Sequence, residues 1–320
     1  ENRYCLYGVS IRGGITMEIV NLQIQIFLLL AVGYILAKKN FLSKETRTQM
    51  TNIVLMVMLP CSIVMSFQID LTDKVIQSTI SVLFISICIQ FFYGFLNKIL
   101  YNRYSQDKKI CLQYGTMVSN AGFMGMPIAQ GVFGDIGLLY ASVFLIPQRI
   151  FMWSSGLSLF TTVDRKNLWK QVMTHPCIIA IYFGVGVMIM KYFGLEMPMP
   201  LQITLSSIGS CSTAMSMFVI GGILSDVDRQ QLFDKEICLY SFYRLILIPV
   251  MIMIILRLLH LDILSSNVCI LLSAMPAAST TAMLAQKYNQ NAEFASRMVF
   301  ISTLFSLITL PIMTLLFQWG

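Results

Sequence analysis

The chain has 320 residues, of which 57% are hydrophobic and only 12% are charged, with a formal net charge of +7 and a mean hydropathy of +0.74. A soluble globular domain carries about 25% charged residues, so this composition excludes a soluble protein and predicts a polytopic membrane protein. The positive net charge does not require a nucleic-acid partner, because the basic residues concentrate in the loops between the predicted spans.

Residues 1–16 lack a long apolar core, and we predict an N-terminal extension outside the fold rather than a signal peptide or a span. From residue 17 onward, the pattern predicts an all-α integral membrane protein with ten transmembrane helices, each needing about 20 apolar residues. The predicted spans cover residues 19–37, 49–67, 75–97, 110–133, 136–160, 172–191, 200–224, 237–258, 265–287 and 294–317.

Lysine and arginine are distributed unevenly among the loops between these spans. Counted alternately along the chain, fourteen basic residues fall in the loops of one side, and five fall on the other side together with the N-terminal stretch. Cytoplasmic loops carry the excess of basic residues, so the pattern predicts a multi-pass protein of the cell membrane with both termini outside. The regular alternation also supports the number of ten spans.

The fourth and ninth spans each contain residues that break helices. "SNAGFMGMPIAQGVFG" (119–134) includes Asn120, Gly122, Gly125 and Pro127, and "AMPAASTTAMLAQKYN" (274–289) includes Pro276. Proline lacks a backbone donor, and glycine allows backbone angles that other residues resist. Each break precedes a closing helix with a Val-Phe pair, at 143–144 and 299–300. The pattern therefore predicts two repeats of five helices, at 17–161 and 162–320. Because five is odd, the second repeat enters the membrane in the opposite direction, so the two repeats are inverted.

Two matched breaks at membrane depth predict a substrate site where they cross, since unwound backbone is tolerated there only inside protein or beside water. The N-terminal ends of half-helices offer free N–H groups and a positive dipole end, which favour anions. A packing kink is the alternative explanation for either break alone. The hydroxyl groups of Ser279, Thr280 and Thr281 fit a ligand contact and a role in satisfying the unwound backbone equally well.

None of the acidic residues lies at the middle of a predicted span, which argues against a cation–proton antiporter with an embedded carboxylate. Arg149 is predicted near mid-membrane without an acidic partner, so it either binds or gates an anion or caps helix carbonyl groups. Arg244, about two turns into the eighth span, is expected to extend its charge to the membrane surface. Arg297 is predicted to pair with Glu293, four residues earlier.

The seventh span contains "SSIGSCSTAMS" (206–216), a segment rich in small residues. Small residues allow two helix backbones to approach closely inside a membrane. We therefore predict close helix packing along this segment, with a ligand site as the alternative.

The sequence contains no phosphate-binding loop and no hydrolase motif. Its only two histidines, His175 and His260, lie near span ends, and its eight cysteines are scattered without a CxxC pair. We predict that the protein is not an enzyme, has no catalytic residues and binds neither a metal nor a cofactor.

Five segments together resemble the auxin efflux carrier family, which includes plant PIN-formed carriers and bacterial malate-permease-like transporters. They are the two break segments, "MVMLPCSIVMS", "HPCIIAIYFGVGV" and "VFISTLFSLITLPI". The resemblance covers roughly residues 17–320. It implies a scaffold domain and a transport domain with crossed broken helices, as in bile-acid symporters and sodium–proton antiporters, and a homodimer. It also implies an elevator-type carrier of organic anions, with Asn120 contacting substrate, Pro127 and Pro276 at the crossover, and Gln148 as a polar support.

These features predict a secondary active carrier of small organic anions, such as malate, other carboxylates or auxin-like indole carboxylates. The driving force stays open among membrane potential, protons and sodium, and a sodium-coupled symporter on the same fold is one alternative. A membrane ligand sensor without transport is another. The candidate substrate-binding residues are Asn120, Gly122, Gly125, Pro127, Gln148, Arg149, Pro276, Ser279 and Thr280.

Overall fold

The structure is a computed structural model that describes residues 14–68, 72–161, 173–225, 234–278 and 280–316. These residues are predominantly helical, with one isolated antiparallel bridge, between Ser119 and Ala277, within the described ranges. The helices are α1 (Gly14–Lys38), α2 (Lys44–Ile53), α3 (Leu59–Ser66), α4 (Asp73–Leu100), α5 (Gln106–Met117), α6 (Met126–Phe151), α7 (Pro176–Tyr192), α8 (Met199–Leu224), α9 (Lys235–Phe242), α10 (Ile248–Leu258), α11 (Ile263–Ser273), α12 (Thr280–Lys287) and α13 (Ala292–Leu316).

Several described helical segments have the length and apolar composition of membrane spans. Shorter apolar helices accompany them, and the prediction of an all-α membrane protein is confirmed at this level, while the division into ten crossings stays a prediction. The six segments that are long enough are Lys44–Ser66, Asp73–Leu100, Ala121–Phe151, Met199–Ile223, Lys235–Leu258 and Ala292–Leu316, and the shorter ones are Leu28–Lys38, Pro176–Tyr192 and Ile263–Ser273.

Three wide π-helical turns each come directly before a helix whose second residue is proline. They are Val54–Met58, Ala121–Gly125 and Tyr243–Leu247. Proline cannot donate to the carbonyl four residues earlier and its ring collides with that carbonyl, so the helix widens by one residue there. Pro127 therefore lies at the start of α6. The expectation that Pro127 interrupts a helix is wrong, because the chain leaves helical geometry earlier, at residues 118–120.

α6 changes direction at Gly134, where φ is 69° and ψ is −160°. This combination of a positive φ with an extended ψ is readily adopted only by glycine, and it separates the predicted fourth and fifth spans. Gly122 and Gly125 lie instead in the π-helical turn before α6 and do not have a positive φ. The expectation that these two glycines provide unusual backbone angles is therefore wrong.

The described helices pack in two groups. In the first group, α1, α2 and α3 pack against α8, and α3 also packs against α7. In the second group, α4, α5, α6 and α9 to α13 pack around one another. The groups meet where α6 contacts α3 and α7, and where α13 contacts α1.

The small-residue segment of α8 packs closely against α3. The Ser62 hydroxyl donates to the Gly209 carbonyl at 2.8 Å and lies 3.4 Å from the Ser212 hydroxyl. A Cβ atom on Gly209 would lie 2.8 Å from the Ser62 hydroxyl oxygen, closer than side chains tolerate. The prediction of close helix packing along residues 206–216 is confirmed.

Glycines also bring the backbones of α1 and α8 into contact. A Cβ atom on Gly33 would lie 2.3 Å from the Phe218 carbonyl oxygen, and one on Gly221 would lie 2.0 Å from the Leu30 carbonyl oxygen. Backbone atoms cannot rotate away as a side chain can, so this helix pair requires glycine at both positions.

We expect Gly221→Ala to lower the free energy of unfolding by about 1–3 kcal/mol, because the added methyl group forces α1 away from α8. Gly186→Ala is the matched control, since a Cβ atom on Gly186 in α7 would have no atom within 4 Å. Thermal unfolding in detergent checks both variants. Equal melting temperatures for the two variants would contradict the backbone contact between α1 and α8.

Candidate functional site

The two helix breaks meet and satisfy each other's backbone. The first break is residues 118–120, and the second break is residues 274–278. The Asn120 N–H donates to the Pro276 carbonyl at 2.8 Å, and the Ala278 N–H donates to the Val118 carbonyl at 3.2 Å. Backbone groups that leave a helix inside a membrane protein need such partners, because lipid offers none. The crossing of the two breaks is therefore the structural centre of the candidate site.

Each break is also held by a side chain from a helix later in the same half of the chain. Gln148 of α6 is buried; its Nε2 donates to the Ser119 carbonyl at 2.8 Å, and its Oε1 accepts from the Ser119 hydroxyl at 3.2 Å. The Ser302 hydroxyl of α13 accepts from the Ala277 N–H at 3.3 Å. Sequence reasoning named Gln148 but missed Ser119 and Ser302, although both lie in the segments that carry the family resemblance.

The first break ends at the N-terminal end of a half-helix. The Asn120 carbonyl accepts from the N–H groups of Met124, at 3.0 Å, and Gly125, at 3.2 Å. The partly exposed Asn120 side chain does not cap this turn. The first N–H groups of a helix have no acceptor within it, and the dipole is positive at this end. Together with the Asn120 amide, this turn can bind an anion.

Arg149 adds a full positive charge beside this turn. A Cβ atom on Gly122 would lie 3.4 Å from its Nη2, so glycine leaves the guanidinium room against the turn. Its Nη1 lies 2.8 Å from Nε2 of His175. Its Nε is buried and has no partner among the described residues. In that part of the chain, no acidic side chain forms an ion pair with Arg149. The guanidinium therefore keeps donors that an anion can occupy.

Gly125 serves a different purpose from Gly122. A Cβ atom on Gly125 would lie 2.8 Å from Cδ2 of Leu272 and 3.1 Å from Cγ of Met275. Gly125 therefore lets the half-helix approach the end of α11 and the second break. Its contribution to the site is close packing of the two breaks rather than contact with a ligand.

The second break leads into α12, which begins at Thr280. The Tyr114 hydroxyl donates to the Thr280 hydroxyl at 3.4 Å, and the Thr281 N–H donates to the Ala278 carbonyl at 3.0 Å. The Thr281 hydroxyl is buried and has no partner among the described residues. Ser279 lies outside those residues. The role of these hydroxyl groups, in contacting a ligand or in satisfying the unwound backbone, therefore stays a prediction.

Pro127 and Pro276 do not occupy matching places. Pro276 lies within the second break, where its carbonyl accepts the hydrogen bond from Asn120. Pro127 lies seven residues beyond Asn120, at the start of α6. The equivalence of the two prolines is a wrong expectation, because the reciprocal hydrogen bonds make Pro276 correspond to Val118 rather than to Pro127.

Arg244 is fully buried, so the expectation that it reaches the membrane surface is wrong. Its Nη1 donates to the Ser273 carbonyl at 2.6 Å, and its guanidinium carbon lies 5.2 Å from the centre of the Tyr93 ring. Ser273 ends α11, where a positive charge is favourable beside unpaired carbonyl groups. The predicted pair of Arg297 and Glu293 is confirmed, at 3.6 Å.

Two cavities in the described part of the chain lie away from the crossing. A groove of 580 Å³ between α4 and α10 is lined mainly by apolar side chains, and a second cavity of 340 Å³ lies near Gln68, Lys191 and Glu196. Neither is lined by Asn120 or Arg149. The candidate site is thus defined by backbone geometry and charge rather than by these cavities.

Comparison with known proteins gives one family and several relatives. A family model described as membrane transport protein matches residues 18–170 and 159–314. The chain is 25% identical over 309 residues to an uncharacterized transporter of Methanocaldococcus jannaschii, covering 92% of this chain and 96% of that protein. It is 26% identical over 295 residues to an uncharacterized transporter of Methanothermobacter thermautotrophicus, covering 90% and 95%. It is 23% identical over 211 residues to a candidate malonate transporter of Rhizobium meliloti, covering 63% and 65%.

We expect Gln148→Leu to lower the free energy of unfolding by about 1–3 kcal/mol, because it leaves the buried Ser119 carbonyl without its partner. Gln130→Leu, also in α6, is the matched control, since the Gln130 side chain donates to the Asp135 carboxylate at 3.2 Å in an exposed position. Unfolding temperatures in detergent compare the two variants. A Gln148→Leu protein as stable as Gln130→Leu would show that the first break does not depend on this side chain.

Proposed function

The chain belongs to the membrane transport protein family, and from this premise we propose that it is a secondary active carrier of small organic anions. It is the auxin efflux carrier type of membrane transporter that its sequence resembles, and not an enzyme. The observation that carries the proposal is the reciprocal hydrogen bonding of the two breaks. It brings a half-helix N-terminus, the Asn120 amide and the Arg149 guanidinium to one place.

A carboxylate is the ligand that this combination of groups fits best. The planar guanidinium and backbone N–H groups donate to carboxylate oxygens, and these charge-assisted hydrogen bonds are about twice as strong as neutral ones. The Rhizobium meliloti relative named as a candidate malonate transporter supports the same ligand class. We assign direct contacts to Asn120, Arg149 and Thr280, with Ser279 as a sequence-based candidate. We assign support of the site to Gly122, Gly125, Pro127, Gln148 and Pro276.

We further propose that the chain forms two inverted five-helix repeats, at 17–161 and 162–320. The two hydrogen bonds between the breaks are equivalent under a two-fold exchange. Asn120 then corresponds to Ala278, and Pro276 corresponds to Val118. On either side the order is the same: helix, break, half-helix and closing helix, with α5 and α6 in one half and α11 to α13 in the other. A two-fold arrangement within the membrane has this pattern.

The two packing groups support an elevator mechanism. In this proposal, the first group is the scaffold domain, within a homodimer whose termini lie outside, and the second group carries the crossing through the membrane. α6 belongs to the second group and touches α3 and α7 of the first. The substrate contacts of Asn120 and Arg149 would then move with α6. Membrane potential, protons or sodium would supply the driving force.

Charge movement in proteoliposomes on a solid-supported membrane tests the carrier. The panel is malonate, malate, succinate, lactate, indole-3-acetate and one amino acid, each with and without sodium and with a pH step. We expect a saturable signal for a carboxylate, lost in Asn120→Ala and retained in Asn102→Ala. Asn102 is the matched control, because it is exposed and its amide donates to the Lys98 carbonyl in the last turn of α4.

Uptake of radiolabelled malonate detects electroneutral transport in the same vesicles. Carboxylate binding without flux in either assay would contradict the carrier and favour a ligand sensor. Flux that requires sodium would identify the sodium-coupled alternative. Both asparagine variants are first shown to be folded by gel filtration and thermal unfolding.

We expect Arg149→Gln to raise the KM for the transported carboxylate by about tenfold to a hundredfold, because one charge-assisted hydrogen bond to the anion is lost. Arg257→Gln is the matched control, since Arg257 donates to the Asn267 side chain at 3.0 Å, away from the crossing. Concentration series of the transport signal measure both KM values. An unchanged KM in Arg149→Gln would leave Arg149 with a structural role alone.

A further inference from the structure

His175 faces two hydrogen-bond donors at once. It is the N-cap of α7, where its Nδ1 lies 3.2 Å from the backbone N–H of Cys177. Its Nε2 lies 2.8 Å from Nη1 of Arg149. A backbone N–H and a guanidinium can only donate, so both ring nitrogens are approached by groups that require an acceptor.

No protonation state of the imidazole satisfies both contacts. A neutral imidazole has one donor and one acceptor, so it can accept from Cys177 or from Arg149 but not from both. When Nδ1 accepts from Cys177 and caps α7, the ring proton is on Nε2 and points at the guanidinium. An imidazolium has a donor at each nitrogen, so it cannot accept a hydrogen bond from Cys177 or from Arg149. One acceptor shared by Nε2–H and Nη1–H removes this conflict and leaves the cap of α7 intact.

We propose that His175 is a further substrate-binding residue, whose imidazole joins the Arg149 guanidinium in binding one carboxylate group of the transported anion. The inference rests on the proposed carrier function and names the second side chain of its anion site. A carboxylate oxygen accepts from both donors, and it replaces a donor–donor contact with two charge-assisted hydrogen bonds.

The surroundings of the pair favour an anion. The positive dipole end of α7 begins at His175, and that of the Ala121–Gly125 turn lies beside the guanidinium. Among the described residues, neither Arg149 nor His175 forms an ion pair with a carboxylate that would occupy the position already. His175 is partly exposed, so a small anion can reach it.

His175→Asn tests the inference directly. Asparagine is a favoured N-cap, so it replaces the acceptor of the α7 cap and removes only the Nε2 donor. We expect the KM for the carboxylate that gives the wild-type signal to rise about tenfold, with the maximal flux within about twofold of wild type. His175→Gln, whose longer amide restores a donor in this direction, should recover part of the affinity.

His260→Asn is the matched control. His260 has a φ of 51° and a ring nitrogen 3.0 Å from the Leu258 carbonyl, and asparagine tolerates this backbone conformation. We expect an unchanged KM in His260→Asn. A wild-type KM in folded His175→Asn would overturn the inference, since a water molecule or another ion would then be the shared acceptor.

A second measurement applies if His175→Asn does not fold. His260→Asn leaves His175 as the only histidine of the chain. Diethyl pyrocarbonate modifies an accessible imidazole, and mass spectrometry of the His175 peptide measures the extent. We expect malonate, or the carboxylate that gives the transport signal, to slow the modification severalfold. Equal modification with and without the anion would overturn the inference while transport by the wild-type protein still supports the carrier. Absence of transport by the wild type would instead contradict the proposed function.

Discussion

The architecture depends on one constraint: backbone groups that leave a helix at membrane depth must find partners inside the protein. An unpaired backbone group in hydrocarbon costs several kcal/mol, so neither break could exist alone. The bond from Asn120 to Pro276 and the bond from Ala278 to Val118 solve this problem jointly. Each break is therefore a condition for the other, and the half-helix ends become available at the crossing only because both breaks are present.

The positions of two arginines follow from the same crossing. Arg244 lies at the carbonyl end of α11, where its charge and its hydrogen bond to Ser273 offset the negative end of the helix. Arg149 lies beside the amide end of the first half-helix, so its guanidinium charge faces the positive end of the helix dipole. At the first position the positive charge faces the carbonyl end of a helix, and at the second position it faces an N–H end. The same residue type thus stabilises the fold at one end of a broken helix and, in the proposed carrier, binds the anion at the other.

Sequence reasoning located both breaks and the pair of Arg297 and Glu293, because these depend on local residue chemistry. It misjudged the position of the first break, since the sequence does not distinguish a proline at the start of a helix from a proline inside one. It also misjudged Arg244, because the carbonyl group that binds it comes from α11. His175 was set aside for lying near a span end, and its contact with Arg149 joins residues 26 positions apart. Such contacts are set by how the two helix groups pack, which no local pattern records.

The position of Arg149 and His175 on different packing groups gives anion binding a mechanical consequence. A ligand shifts a conformational equilibrium only through a difference in affinity between the two states. Movement of α6 relative to α7 would separate the guanidinium from the imidazole, so a carboxylate between them would be held more tightly in the arrangement seen in the structure. In the empty protein the neutral imidazole accepts from either Cys177 or Arg149, so the same movement would lose at most one hydrogen bond. In the proposed carrier, the pair would therefore make the free energy of moving α6 relative to α7 depend on whether the anion is bound.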